Sequence, residues 1–192
     1  ADPAYDGYYY RLKVNGTCPE FAYSDTVQLL IKYDPISARN PIDQLVCENS
    51  STGFGVDAGI TANPTYQWQL SVDSGATWDD LADTAVYSGA FNDTLMIASA
   101  ASRFNGYQYQ VIITGDCGGF QISNPATLSV DERPEIISQP TDTTVCENNP
   151  VHFDVDAGVT TNVAYQWQVD VGAGFGNITI DSAAFYSGYN QP

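Results

Sequence analysis

Apolar side chains recur at every second position through much of the chain: Phe54, Val56 and Ala58; Tyr66, Trp68 and Leu70; Tyr107, Tyr109, Val111 and Ile113. A period of two turns these residues to one face of an extended strand and the residues between them to the other. Each run therefore predicts a strand with one buried face. Turn-forming clusters separate the runs, namely Ala62-Asn63-Pro64, Asp73-Ser74-Gly75 and Thr114-Gly115-Asp116. Over residues 35–131 the pattern predicts about seven strands and almost no helix.

The pattern also repeats. Val46-Cys47-Glu48-Asn49 returns as Val145-Cys146-Glu147-Asn148, and Tyr66-Gln67-Trp68-Gln69 as Tyr165-Gln166-Trp167-Gln168, both 99 residues on (146 − 47). Val56-Asp57-Ala58-Gly59, Tyr87-Ser88-Gly89 and Cys18 recur at the same spacing, which predicts a constant register between repeats. A period near 100 residues is too long for a solenoid and suits one complete β-sandwich domain. By phase, 35–131 is a whole repeat, 1–34 supplies the last strands (F and G) of a preceding one, and 132–192 supplies the first strands (A to E) of a following one. Lys32-Tyr33-Asp34-Pro35 and Asp131-Glu132-Arg133-Pro134 read as linkers, too short for consecutive domains to swing freely.

These residues resemble an immunoglobulin fold. Trp68 and Trp167 take the tryptophan position of strand C, and 105–111 is similar to a tyrosine corner with Tyr109 as its tyrosine. Val56, its counterpart Val155, and Val111 stand where antibody-type domains carry paired cysteines, so packing replaces the central disulfide. The combination of VCEN, YQWQ, YSG, NGYxY and GxC is similar to the immunoglobulin-like repeats of very large cell-surface adhesins and gliding-motility filament proteins of Bacteroidetes-type bacteria. The expected fold class is all-β, with tandem immunoglobulin-like β-sandwich domains. The resemblance further implies export through a type IX secretion system, an extracellular surface fibre, and O-glycosylation at Asp-Ser/Thr triplets carrying Thr26, Thr84, Thr94, Thr143 and Ser182.

Composition narrows the partners. Six Lys and Arg against 23 Asp and Glu give a formal net charge of −17, which repels nucleic acid and anionic membranes. Such acidity keeps neighbouring molecules soluble; Ca²⁺ suits carboxylates, but no loop has the spacing that would locate a site. No cofactor is implied. No apolar run approaches the length of a membrane span, and the first residues lack a signal-peptide pattern. The four cysteines make neither a CxxC nor a metal spacing, so Cys18, Cys47, Cys117 and Cys146 are disulfide candidates in an oxidising compartment.

In this topology Cys47 and Cys117 fall at opposite ends of one sandwich, beyond the roughly 7 Å that a disulfide allows between Cα atoms. The turn of one domain faces the F–G hairpin of the next, which suggests bridges from Cys47 to a Cys18 equivalent and from Cys146 to a Cys117 equivalent in neighbouring repeats, with intradomain bridges or free thiols as the alternatives. Those neighbours are copies of the same repeat, supplied in one long chain or by strand complementation between subunits.

Candidate chemistry is sparse. His152, the lone histidine, alternates with Phe153 toward solvent and has Gly53 as its counterpart. Trp78 beside Asp79-Asp80 could form a sugar platform; at a spacing of 99 the next repeat offers Asn177-Ile178-Thr179, with no aromatic. The glycines of 172–176 precede no Lys and imply no nucleotide. The expected function is a structural, non-enzymatic stalk or filament segment, with a glycan-binding module as the alternative.

Overall fold

The computed structural model describes residues 2–18 and 20–179. In the first part the ladders are short: β1 (Tyr9–Tyr10), β2 (Lys13–Asn15), β3 (Phe21–Tyr23) and β4 (Val27–Gln28). The middle holds β5 (Gln44–Cys47), β6 (Thr52–Gly55), β7 (Thr65–Ser71), β8 (Asp79–Asp80), β9 (Tyr87–Ser88), β10 (Thr94–Ile97), β11 (Gln108–Thr114), β12 (Phe120–Ile122) and β13 (Ala126–Asp131). A last hairpin joins β14 (Gln168–Asp170) to β15 (Phe175–Asn177).

The middle ladders form two sheets. One runs β5-β13-β11-β7-β8, with β12 also on β11; the other runs β6-β10-β9. All pairs are antiparallel except β5 with β13. Between the sheets lie Trp68, Tyr109, Val111, Ile113 and Leu128 from the first and Phe54, Leu95 and Ile97 from the second, all fully buried. This is an immunoglobulin-like β-sandwich, and its alternating apolar positions are the ones that close the core.

The nine middle ladders exceed the expected seven strands for local reasons. Strand G divides into β12 and β13 at Ser123-Asn124-Pro125, where proline has no N–H to give a ladder. The Ser123 hydroxyl fills the gap, accepting the Val111 N–H at 3.0 Å and donating to the Asn124 carbonyl at 3.0 Å. Asn40 and Asp43 accept the N–H groups of Asn124 and Thr127, both at 2.7 Å. The expected second linker is shorter by a residue, because Asp131 ends β13 and pairs with Cys47.

The flanking parts reproduce the middle one locally. Pro3–Tyr5 forms a 3-10 turn as Ser102–Phe104 does. Ser24 accepts the Leu12 N–H at 2.8 Å as Ser123 accepts that of Val111, and Asp6 accepts the Ile31 N–H as Asn105 accepts that of Val130. In the last part Gly158 N–H donates to Asp156 at 2.8 Å, matching Gly59 on Asp57, and Thr160 donates to Ala157 as Thr61 does to Ala58.

The constant 99-residue register is corrected at one place. Gln168 pairs with Asn177 as Gln69 pairs with Asp80, an offset of 97 (177 − 80) across the hairpin. The tighter Gly-Ala-Gly turn drops two residues between the strands, and Phe175 therefore occupies the position of Trp78 (175 − 97 = 78). The expectation that this repeat lacks the hairpin aromatic is wrong.

Candidate functional site

A groove of about 620 Å³ lies in the last part, lined by apolar groups including Ile136, Val155, Ala157, Tyr165, Trp167 and Phe175. In the middle unit β7, the equivalent strand, has β11 hydrogen-bonded along one edge, with Trp68 opposite Val111 and Tyr66 opposite Ile113.

The two tryptophans share the same hydrogen-bonded frame on their hairpin side. Gln67 Nε2 donates to the carbonyls of Trp68 and Leu81, and Gln166 Nε2 donates likewise to Trp167 and Ile178, all at 2.8–2.9 Å. Trp68 is fully buried and donates its indole N–H to the Asn92 carbonyl at 2.9 Å. Trp167 is half-buried among the described residues, 6.4 Å from the Phe153 ring. Val56 and Val111 are buried in the middle unit, and Val155 is half-buried in the groove wall.

Tyr109 is enclosed, stacked on Phe54 at 4.7 Å with its hydroxyl 3.3 Å from that of Tyr87. Burial raises the pKa of both phenols, so each stays neutral. A tyrosine corner bonds its hydroxyl to backbone; here the Tyr109 hydroxyl meets a second tyrosine, the one carried by the YSG motif. That pairing crosses between sheets, and sequence spacing alone does not reveal it.

Cys18, Cys47, Cys117 and Cys146 are free and exposed in this structure. Cys47 lies beside Asp131 at one end of the sandwich, while Cys117 follows Thr114 at the other. Each stands next to a linker. The Lys32 ammonium pairs with Asp116, which also accepts from Asn63, so Asp116 is held below the usual carboxylate range and Lys32 above the usual amine range. At the far end Arg133 Nε donates to the Glu48 carbonyl at 2.9 Å, and Glu132 N–H to Thr161 at 2.9 Å.

Thr26, Thr84, Thr94 and Thr143 are exposed, and Ser182 lies outside the described residues. Thr84 is tied into a turn, its oxygen accepting the N–H groups of Val86 and Tyr87 at 3.1 Å. His152 is exposed. Trp78 is half-buried, and Asp79 and Asp80 are exposed, Asp80 accepting from Gln69 at 2.8 Å. Among the described residues no three His, Cys, Asp or Glu cluster to hold a metal ion, and no helix is long and apolar enough to cross a membrane.

No family model matches the chain. It is 28% identical over 141 residues to Endoglucanase C of Cellulomonas fimi, a match that takes in 73% of the chain and 12% of that protein. The chain thus spans a small part of the curated relative it matches. Among solved structures, the N-terminal eight immunoglobulin domains of Down syndrome cell adhesion molecule align over 68% of the chain and 16% of theirs, with a TM-score of 0.54 and 15% identity. The titin I-band fragment I67–I69 aligns over 58% of the chain and 37% of its own, with a TM-score of 0.46 and 18% identity. At these identities the likeness concerns the fold: immunoglobulin-like.

Proposed function

We propose that the chain is a non-catalytic segment of an extracellular stalk or filament, in which consecutive immunoglobulin-like units act as a stiff spacer. The observation that supports this reading is the linker geometry. Each junction is about four residues long and is tied to the loops of the neighbouring sandwich, Lys32 to Asp116 on one side and Arg133 to Glu48 on the other. Exposed ties of this kind add little stability individually. Together with a short linker they restrict the angle between units, which is what a spacer requires. In such a rod the Cys47-type and Cys117-type thiols face each other across every junction, and bridging them in an oxidising compartment would staple it. A bacterial cell-surface setting, with glycans on the exposed threonines, is the corresponding biological reading.

Negative-stain micrographs of tandem repeats test it. Straight particles with beads about one domain length apart, ~40 Å, are expected; freely bent chains would sink the proposal.

A second reading, a glycan-binding module, draws on the likeness to part of Endoglucanase C and on the aromatic that both C–C′ hairpins carry, Trp78 and Phe175. Saturable binding of the chain to a polysaccharide array, lost on Trp78→Ala, would favour it.

A further inference from the structure

We infer that the outer face of the β8-β7-β11 sheet in the middle unit is a binding site for a neutral, β-linked polysaccharide. This rests on the glycan-binding reading above and names its ligand class and its residues. Strand pairing sets Asp80 opposite Gln69 and Gln69 opposite Gln110, in one row across three strands. Their neighbours along the strands, Trp68, Tyr109 and Val111, are fully buried in the core, so the row faces outward. Hydrogen bonds run along it: Gln110 Nε2 donates to Gln69 Oε1 at 2.9 Å, and Gln69 Nε2 donates to Asp80 Oδ1 at 2.8 Å. Each amide is thereby oriented before any ligand arrives.

Trp78 lies on the same face. It precedes Asp79, which pairs with Leu70, and so comes level with Ser71 and Gln108. Its ring is half-buried without belonging to the side chains that pack on the core. A Cβ placed on Gly75 would meet Gln108 Oε1 at 3.1 Å and Trp78 Cζ2 at 3.8 Å, which puts ring and amide side by side around a residue with no side chain. The result is an indole next to a fixed strip of amides about 10 Å wide.

The chemistry of the strip selects its ligand. Left over from the internal bonds are the second N–H of Gln69 and of Gln110, the Gln110 carbonyl oxygen and the second oxygen of Asp80. Among the described residues no sealed side-chain polar atom lacks a partner, so the Gln110 oxygen reaches the surface although the residue is only 8% exposed. Interleaved donors and acceptors suit hydroxyl groups, which act as both. A pyranose ring adds an apolar C–H face for the indole, whose π-cloud is negative. The hairpin of the next unit narrows the choice. There Gln168 Nε2 donates to Asn177 Oδ1 at 2.8 Å, and Phe175 stands in the place of Trp78. Asn177 in place of Asp80 removes the charge, and Phe175 in place of Trp78 removes the indole N–H, while the amide bond and the ring remain. A ligand recognised by both hairpins is read by hydrogen bonds and stacking, without ion pairing. The net charge of −17 also repels acidic polysaccharides. A sheet face suits the flat ribbon of a β-linked chain better than a curved α-linked one.

NMR titration of the full chain with cellohexaose tests this. The Trp78 indole N–H and the side-chain amides of Gln69 and Gln110 should shift saturably, and maltohexaose and hexagalacturonate should bind about tenfold more weakly or worse. Trp78→Ala and Gln69→Leu should each weaken cellohexaose about tenfold. Asp80→Asn and Trp78→Phe, which copy the next unit, should hold affinity within about threefold. Saturable shifts confined to other residues would overturn the assignment to this face and leave a glycan-binding module standing. Preference for maltohexaose or hexagalacturonate, or lost affinity in Asp80→Asn, would overturn the ligand class. If none of the three binds, the polysaccharide array separates the outcomes: a hit there removes this ligand and keeps the module, and no hit removes both.

Discussion

Trp68 and Trp167 sit in nearly the same local frame, and among the described residues Trp68 is fully buried while Trp167 is half-buried. Each has the same glutamine looping back onto its carbonyl and a C′ strand alongside. Trp68 also has β11 across its other edge. The local frame is thus set by residues close in sequence, while burial depends on strands some forty residues further on. If this is right, Trp68→Ala should cost about 3–5 kcal/mol, and Trp167→Ala less in the same chain. Urea midpoints of both variants measure the contrast, and equal losses would break it.

A second contrast separates two glycines of the middle unit. Gly89 has φ +79 and would place a Cβ 2.2 Å from the Thr94 carbonyl oxygen, whereas Gly106 has φ +84 with open space around it. Gly89→Ala is expected to cost about 2 kcal/mol or more, and Gly106→Ala about 1 kcal/mol for the left-handed backbone alone. Thermal unfolding of the two variants ranks them; the reverse order would mean that the YSG turn relaxes freely.

The kink serines sharpen the comparison further. Ser123 is buried and Ser24 is exposed, yet they make the same pair of bonds. Removing the hydroxyl of Ser123 leaves the buried Val111 N–H without its acceptor and should cost about 1–2 kcal/mol. The Ser24→Ala change should stay within about 0.5 kcal/mol, because water replaces the serine. Hydrogen exchange at the Val111 and Leu12 amides reads each site directly.

Much of this was legible in the sequence for a physical reason. Strands buried on one face write their period-two pattern into the chain, and a sandwich copied end to end writes it again, so Phe54, Val56, Trp68, Tyr109 and Val111 could be placed as inward-facing before any coordinates. One thing was not legible. The shorter hairpin at 170–175 hides its two-residue slip because turns tolerate length changes that strands do not, and the equivalence of Phe175 with Trp78 was lost with it.

The smallest expected effect lies in the hairpin turns. Asp73 accepts bonds from the Thr77 N–H and hydroxyl and from the Ser71 hydroxyl, which hold its carboxyl down to about 2. Asp170, which stands at the position of Ser71 (170 − 99 = 71) and closes the shorter turn, is lowered by the N–H groups of Gly172, Gly174 and Ala173. A carboxyl depressed in the folded state stabilises it above the unfolded pKa, near 4, and that contribution is lost as pH falls toward 2. Asp73→Asn should therefore flatten the acid side of the stability curve between about pH 4 and pH 2 and leave it unchanged near neutrality apart from a constant offset. Because both carboxylates are exposed, the change is small, and carboxyl titration by NMR is the measurement that resolves it. Asp73 titrating at the ordinary aspartate value would show that the turn is held by Ser71 and the glycine rather than by charge.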